Sequence, residues 1–343
     1  MHRKRRLFGV GADHAVPDRI DVRGQVPEVP SEEATARRAS RRWVTSAIVI
    51  GLLTAIVIHL SRTHDELASV RRLSFAVLAG GCALQLISQL FLNGSLLVPL
   101  RHCVTPLGFW ELYLVRTGGF FVSSVVPVAG GLAVRLAYLR GRGLTYLDFT
   151  WATLFSNVLA LASAAVLAVA AAGLLWLRAG PLPPGLLGVT AAILVVGVAT
   201  VLAFEYLPRL TRYGPLRRWH WLAGMSGVGS RPALALRVFN WSLARHTLNF
   251  VTFGLLYQSL SRDPSDFLAG GLVYALTSPV RMFNITPANL GVTEWFVALV
   301  GRMVAFDLAT GLIVSLAFRG VALAAQMVGA AFGSAWLALR KPR

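Results

Sequence analysis

Acidic side chains are scarce in this chain of 343 residues, which carries 15 Asp and Glu against 33 Lys and Arg. Charged residues of both signs reach only 14%, where a soluble domain of ordinary composition carries about 25%. That shortage excludes an ordinary water-soluble fold. Cysteine is nearly absent as well. Cys82 and Cys103 lie near apolar stretches, which excludes a disulfide framework and a thiolate metal site. Catalytic signatures are missing too. There is no Gly-rich Lys-Ser/Thr phosphate loop, as an ATP-driven transporter needs. There is no Gly-X-Ser-X-Gly elbow and no His/Glu zinc motif, and no pair of acids is spaced for metal-assisted sugar transfer. The longest non-membrane piece, residues 1–42, is too short for a catalytic domain. The sequence therefore points to no enzyme, no metal and no cofactor.

Apolar side chains make up 55% of the residues, and the mean hydropathy is +0.63. Many apolar runs exceed the roughly 20 residues needed to cross a bilayer. Runs bounded by charge or Pro/Gly predict six full spans, at about 43–60, 75–98, 148–177, 185–207, 233–260 and 308–338. Two further regions, 108–139 and 267–304, each read as an apolar segment, a Pro/Gly break and a second apolar segment. The breaks are VPVAGG (Val126 to Gly131) and NITPANLG (Asn284 to Gly291). The expected fold is an all-α polytopic membrane protein, with about six transmembrane helices and two broken or re-entrant hairpins. Whether the hairpins turn back or span is open at this level. The expected domains are a disordered basic cytoplasmic tail at 1–42, a transmembrane domain at 43–338 and a basic cytoplasmic end at 339–343.

The high positive charge does not point to nucleic acid, because of where it lies. The tail holds RKRR (Arg3 to Arg6) and ARRASRR (Ala36 to Arg42), and one loop holds Arg209, Arg212, Arg217, Arg218 and Arg231. Basic flanks of membrane spans mark cytoplasmic loops and contact with anionic headgroups. With both termini cytoplasmic in a plasma membrane, the outer side keeps only Arg62, Arg71, Arg72, Arg178 and Arg262. The first apolar run is a retained span rather than a signal peptide, since no small-residue cleavage pattern follows it. The two hairpins then enter from opposite sides. Oppositely entering broken helices are the mark of an inverted repeat with a site near the midplane.

Arg116, Arg135, Arg237, Arg245, Arg281, Arg302 and Arg319 remain inside the apolar regions. An arginine at mid-bilayer costs at least about 2.5 kcal/mol, so each needs a partner or a role. Arg237 is near a span end and can snorkel. Arg116 has Glu111 five residues earlier as a candidate partner. Arg135, Arg281, Arg302 and Arg319 fall on or beside the two breaks, with Glu111, Glu294 and Asp307 as the nearby acids. Such a net-positive interior suits an anionic headgroup or phosphate, which the guanidinium fork binds in bidentate fashion. The competing structural reading has these arginines pair with Glu294 and backbone carbonyls only to hold the hairpins. Glu294 itself either complements a helix N-terminus, or acts as a coupled carboxylate or releasable counter-ion. His59 and His246 have no companion at ligand spacing, although His246 beside Arg245 and near Asn249 could line a cavity. Small residues at Gly118, Gly119, Gly270 and Gly271 suit close helix contacts.

The two breaks, VPVAGGLAVRLAYLRGRG and ITPANLGVTEWF, resemble in type and order the membrane region of the lysylphosphatidylglycerol synthase/flippase family. The likeness spans roughly residues 43–338. It implies a flippase-like membrane fold that handles lipid. It implies as substrate-site residues Gly130, Gly131 and Arg135 in the first motif, and Thr286, Pro287, Gly291 and Glu294 in the second, with the late Arg319. Asn284 and Arg281 join them from the reading of the residues. Two positions depart from the family pattern. Leu132 stands where an acid often follows the double glycine, and Ser156-Asn157 stand where an acid–arginine pair is usual. The aminoacyl-transferase domain of the family's synthases is not encoded in this sequence. The favoured expectation is a translocase for an anionic or phosphate-bearing lipid, such as aminoacyl-phosphatidylglycerol or a polyprenyl-phosphate-linked lipid. The alternatives are a polyprenyl-phosphate sugar transferase and an accessory subunit of a glycosyltransferase system. The partners expected are anionic membrane lipids and a glycosyltransferase or aminoacyl transferase.

Overall fold

A chain segment in hydrocarbon must satisfy its own backbone, so long apolar runs become helices. The computed structural model describes residues 51–61 (53 and 60 aside), 73–103, 107–125, 130–210, 231–261, 263–282 and 289–339. Among these residues the regular structure is helical throughout. A helical stretch within 51–61 is followed by α1 (Phe75–Cys103), α2 (Phe109–Val125), α3 (Gly130–Arg140), α4 (Tyr146–Ala179) and α5 (Pro184–Leu210). Then come α6 (Pro232–Ser261), α7 (Asp266–Thr277), a 3-10 turn (Val280–Met282), α8 (Val292–Met303) and α9 (Leu308–Leu339).

By length and apolarity, α1, α4, α5 and α9 can cross a membrane. Five of the six expected spans fall on long helices, α6 being the fifth. It has 30 residues but is less apolar, since it carries Arg237, Asn240, Arg245, His246 and Asn249. The expected span at 43–60 lies largely outside the described residues. The short helices carry the two breaks. α2 has 17 residues, α3 has 11, and α7 and α8 have 12 each. At 1.5 Å per residue they reach about 26, 17 and 18 Å, less than the roughly 30 Å hydrocarbon core. α2 packs along α3, and α7 packs on α8. The order long helix, short pair, long helix therefore occurs twice, in α1 to α4 and in α6 to α9. An internal repeat, inverted or parallel, has this chain order.

α1 shows why the bundle closes as it does. Its buried face carries Gln85, Ser88, Gln89, Asn93 and Ser95, whereas Phe75 and Ile87 point outward. This inside-out pattern suits a helix with hydrocarbon on one side and polar partners on the other. α5 likewise exposes Val195, Val196, Val198 and Leu202. The long contact of α1 with α6 pairs two polar-bearing helices in the interior.

Glycine sets the closest approaches. A Cβ on Gly119 would lie 2.7 Å from the Gly131 carbonyl oxygen, so the two arms of the first hairpin meet backbone to backbone. Cβ atoms on Gly270 and Gly271 would come within 2.6 Å of Tyr257 and 2.3 Å of Phe250. Gly118, expected to serve the same purpose, faces open space. One helical position separates it from Gly119, and a turn of 100° carries it off the contact.

Candidate functional site

The second hairpin restarts at Gly291. Its φ of +82° favours a residue without a Cβ, and a Cβ there would come 2.5 Å from that of Leu52. Three residues on, Glu294 turns back into its own helix start. Its Oε2 accepts the Gly291 amide at 2.7 Å, satisfying one of the orphan donors of a helix N-terminus. Its Oε1 accepts from Arg319 of α9, with Nε at 2.9 Å and Nη2 at 2.6 Å. Arg319 also donates to the Asn289 carbonyl at 3.4 Å, and Asn289 Nδ2 donates to the Arg281 carbonyl at 3.3 Å. Glu294 is therefore a cap and an arginine counter-ion together. The cap expected from the sequence is made, and the contacts also pair the carboxylate with an arginine.

Arg281, on the 3-10 turn, makes no ion pair among the described residues. Its guanidinium instead lies over three rings, at 5.0 Å from Phe253 of α6, 5.5 Å from Tyr274 of α7 and 4.8 Å from Phe318 of α9. Ring faces attract a cation, by about 0.5–2 kcal/mol each depending on desolvation. The rings leave its N–H groups unused, and Nε and Nη2 are buried with no hydrogen-bond partner.

From Tyr274 a polar belt runs through the interior. Asn249 Nδ2 of α6 donates to the Tyr274 hydroxyl at 2.7 Å, and His246 Nδ1 meets the same hydroxyl at 2.9 Å. The hydroxyl, already accepting from Asn249, gives its own proton to Nδ1. The network thereby assigns His246 the Nε2–H tautomer. That Nε2 is buried with no hydrogen-bond partner. On the other side, Asn249 Oδ1 accepts Gln85 Nε2 at 2.7 Å and Ser88 Oγ at 2.8 Å, both from α1. One residue farther, Gln89 Oε1 accepts Arg116 Nη1 of the first hairpin at 2.8 Å, and the Gln89 carbonyl accepts Nη2 at 3.3 Å. Arg116 interacts electrostatically with Arg135 of α3 and Arg245 of α6, and Arg281 with Glu294 as well as with Arg319 and Arg245. Arg245 thus links the arginines of the two hairpins.

Arg135 donates Nε to the Gly131 carbonyl one turn earlier, at 3.2 Å. Gly131 is buried at the hairpin crossing, and Gly130 is the first residue of α3. Asn284, Thr286 and Pro287 lie outside the described residues. Arg302 is exposed in the last turn of α8, at the opposite end of that helix from Glu294. The expected Glu111–Arg116 pair does not form. Five residues on a helix correspond to about 500°, which turns the two side chains to different faces. Glu111 instead accepts from Arg142, Tyr138 and the Gly108 amide, tying the start of α2 to the end of α3. At the two family departures, Leu132 is exposed and the Ser156 hydroxyl bonds the Ser95 carbonyl of α1 at 3.2 Å. Reading by charge alone passed over Gln85, Ser88, Gln89 and Tyr274 and gave Arg245 no role. The signal of the three on α1 was the i, i+3, i+4 spacing of their polar side chains.

A groove of about 470 Å³ opens beside the belt, between Phe91 of α1 and Asn240, Leu243, Ala244, Thr247 and Leu248 of α6.

Long apolar helices, two short-helix pairs and a buried arginine-rich belt define a multi-pass, all-α membrane protein. Residues 43–330 match the family model described as lysylphosphatidylglycerol synthase TM region, and the chain belongs to that family. No curated protein and no solved structure matches the chain.

Proposed function

We propose that this protein is a lipid translocase that carries an anionic or phosphate-bearing headgroup between leaflets along the belt joining its two hairpins. The observation that supports this reading most is that two runs of buried polar contacts, one from each hairpin, meet on α1. Named contacts run from Arg116 through Gln89, and from Gln85 and Ser88 through Asn249 and Tyr274 to Arg281, Asn289, Arg319 and Glu294. A core held only by packing has no use for so many buried charges, each of which costs several kcal/mol unless compensated. Arg116 Nε and Arg281 Nε and Nη2 are buried donors without acceptors, and leaving such groups unsatisfied costs about 1–3 kcal/mol each. Phosphate oxygens would supply the acceptors. Arg135 and Arg281 lie beside the two breaks and would receive the headgroup in turn. Glu294 would hold Arg319 when no headgroup is present and yield it when one arrives. The lipid tails would stay outside the bundle, with the α1/α6 groove as one apolar track. The basic loops favour a plasma-membrane location with both termini cytoplasmic.

The test is reconstitution in liposomes with fluorescent anionic lipid and a membrane-impermeant reductant added outside. Loss of the protected inner-leaflet signal faster than in empty vesicles is expected, with Arg135→Ala and Glu294→Gln slowing it. Movement no faster than in empty vesicles for several headgroups would overturn the reading. Unchanged rates in both variants would remove the site.

A further inference from the structure

The charge balance of the belt bears on which headgroup it takes, granted the translocase reading. Glu294 is bound to Arg319, and Glu111 is taken up by Arg142 and Tyr138. Asp307 is exposed before α9. Neither break adds an acid, since residues 126–129 read VPVA and 283–288 read FNITPA. Arg116, Arg135, Arg245 and Arg281 are left without an ion pair among the described residues. Arg135 is held by a backbone carbonyl, Arg116 by Gln89, and Arg281 by aromatic rings. These partners are neutral, although Glu294, paired with Arg319, also attracts Arg281 at longer range. Like charges in a low-dielectric interior repel strongly, and Arg245 lies within electrostatic reach of both Arg116 and Arg281.

We infer that the belt is built for a lipid headgroup with at least two negative charges, such as a polyprenyl diphosphate or a lipid with two phosphodiesters. One phosphodiester charge would leave three of these four guanidinium groups uncompensated. A lysyl ester of phosphatidylglycerol fits worse still, because its two ammonium groups outweigh its one phosphate. The unused nitrogens agree with this. Arg116 Nε and Arg281 Nε and Nη2 can only donate, so they call for several acceptor oxygens.

The test is native mass spectrometry of the full chain in detergent, with equal amounts of phosphatidylcholine, phosphatidylglycerol, lysyl-phosphatidylglycerol and a long-chain polyprenyl diphosphate. The diphosphate should be retained about tenfold over phosphatidylglycerol, and the lysyl lipid no better than phosphatidylcholine. Arg116→Gln and Arg245→Gln should each narrow that ratio. Phosphatidylglycerol or its lysyl ester retained as well as the diphosphate would overturn the inference. Inorganic pyrophosphate displacing the bound lipid at equal concentration would also overturn it, by assigning the belt to a soluble anion. The same lipids in the liposome assay separate the two readings. A diphosphate preference without movement sinks translocation and keeps the charge preference. Movement with phosphatidylglycerol preferred does the reverse.

Discussion

Glu294 receives two nitrogens of Arg319 on one oxygen, at 2.9 and 2.6 Å, which leaves its other oxygen for the Gly291 amide. One buried carboxylate therefore fixes both the start of α8 and its attachment to α9. Glu294→Gln keeps an acceptor for the amide but leaves Arg319 without its counter-charge. Breaking a buried pair costs about 3–5 kcal/mol. Arg319 is 22% exposed, and water screens part of that charge, so we expect about 2–3 kcal/mol. Thermal unfolding in micelles checks this. Arg319→Leu with Glu294→Gln should cost less than the two single changes together, and strict additivity would show that the pair is not coupled.

Gly291→Ala should destabilise the second hairpin through two separate faults. The left-handed φ costs a residue with a Cβ about 1–2 kcal/mol, and the added methyl meets Leu52. Leu52→Gly, which removes the Cβ 2.5 Å away, should recover the steric part only when Gly291→Ala is set in that background and compared with Leu52→Gly alone. Full recovery of the melting temperature would show that the backbone conformation is not strained.

The neighbours Gly118 and Gly119 should respond in opposite directions. Gly118→Ala gains about 1 kcal/mol of helix propensity into open space. Gly119→Ala drives a methyl to 2.7 Å from the Gly131 carbonyl and spreads the arms of the first hairpin. Opposite shifts in melting temperature are expected, and shifts of the same sign would contradict the crossing.

Tyr274→Phe keeps the ring under Arg281 and removes only the hydroxyl shared by Asn249 and His246. A buried donor left unsatisfied costs about 1–3 kcal/mol. We expect a loss in that range, together with a changed imidazole nitrogen signal for His246, since the proton donated to Nδ1 is gone. An unchanged signal would refute the hydrogen bond between Nδ1 and the hydroxyl.

Asp263, in the loop before α7, accepts the Ser265 amide at 2.8 Å, which holds its carboxyl below the ordinary aspartate value. A depressed folded value contributes stability that is present above the unfolded value of about 3.9. That contribution is lost as pH falls through the folded value. A carboxyl carbon titration should give a midpoint below that of an unfolded aspartate. A midpoint at or above it would mean that the loop bond is not made.

The unequal legibility of the chain follows from how far each interaction reaches. Glu294 was found because its surroundings are local: a glycine three residues earlier and an apolar run after it. Arg135, Arg281 and Arg319 stood out because an arginine in hydrocarbon is conspicuous in one dimension. Gln85, Ser88 and Tyr274 were not conspicuous, since a neutral polar residue in a membrane helix is affordable wherever a partner exists. Their partner, Asn249, lies more than 20 residues from each of them in sequence. The Glu111–Arg116 expectation failed for the complementary reason. Proximity in sequence suggested a pair that helix rotation forbids, while Arg142, brought back by the hairpin, takes the carboxylate.

The sequence alone determined that the chain crosses a membrane as helices, where it breaks them and which arginines it buries. These are consequences of composition and period, and of backbone groups that hydrocarbon cannot hydrate. Only the tertiary structure decided what each buried charge faces. Arg319 took the carboxylate, Arg281 took three aromatic rings, and Arg116 took an amide on α1. Pairing of that kind depends on which helix faces meet, and no residue records this by itself.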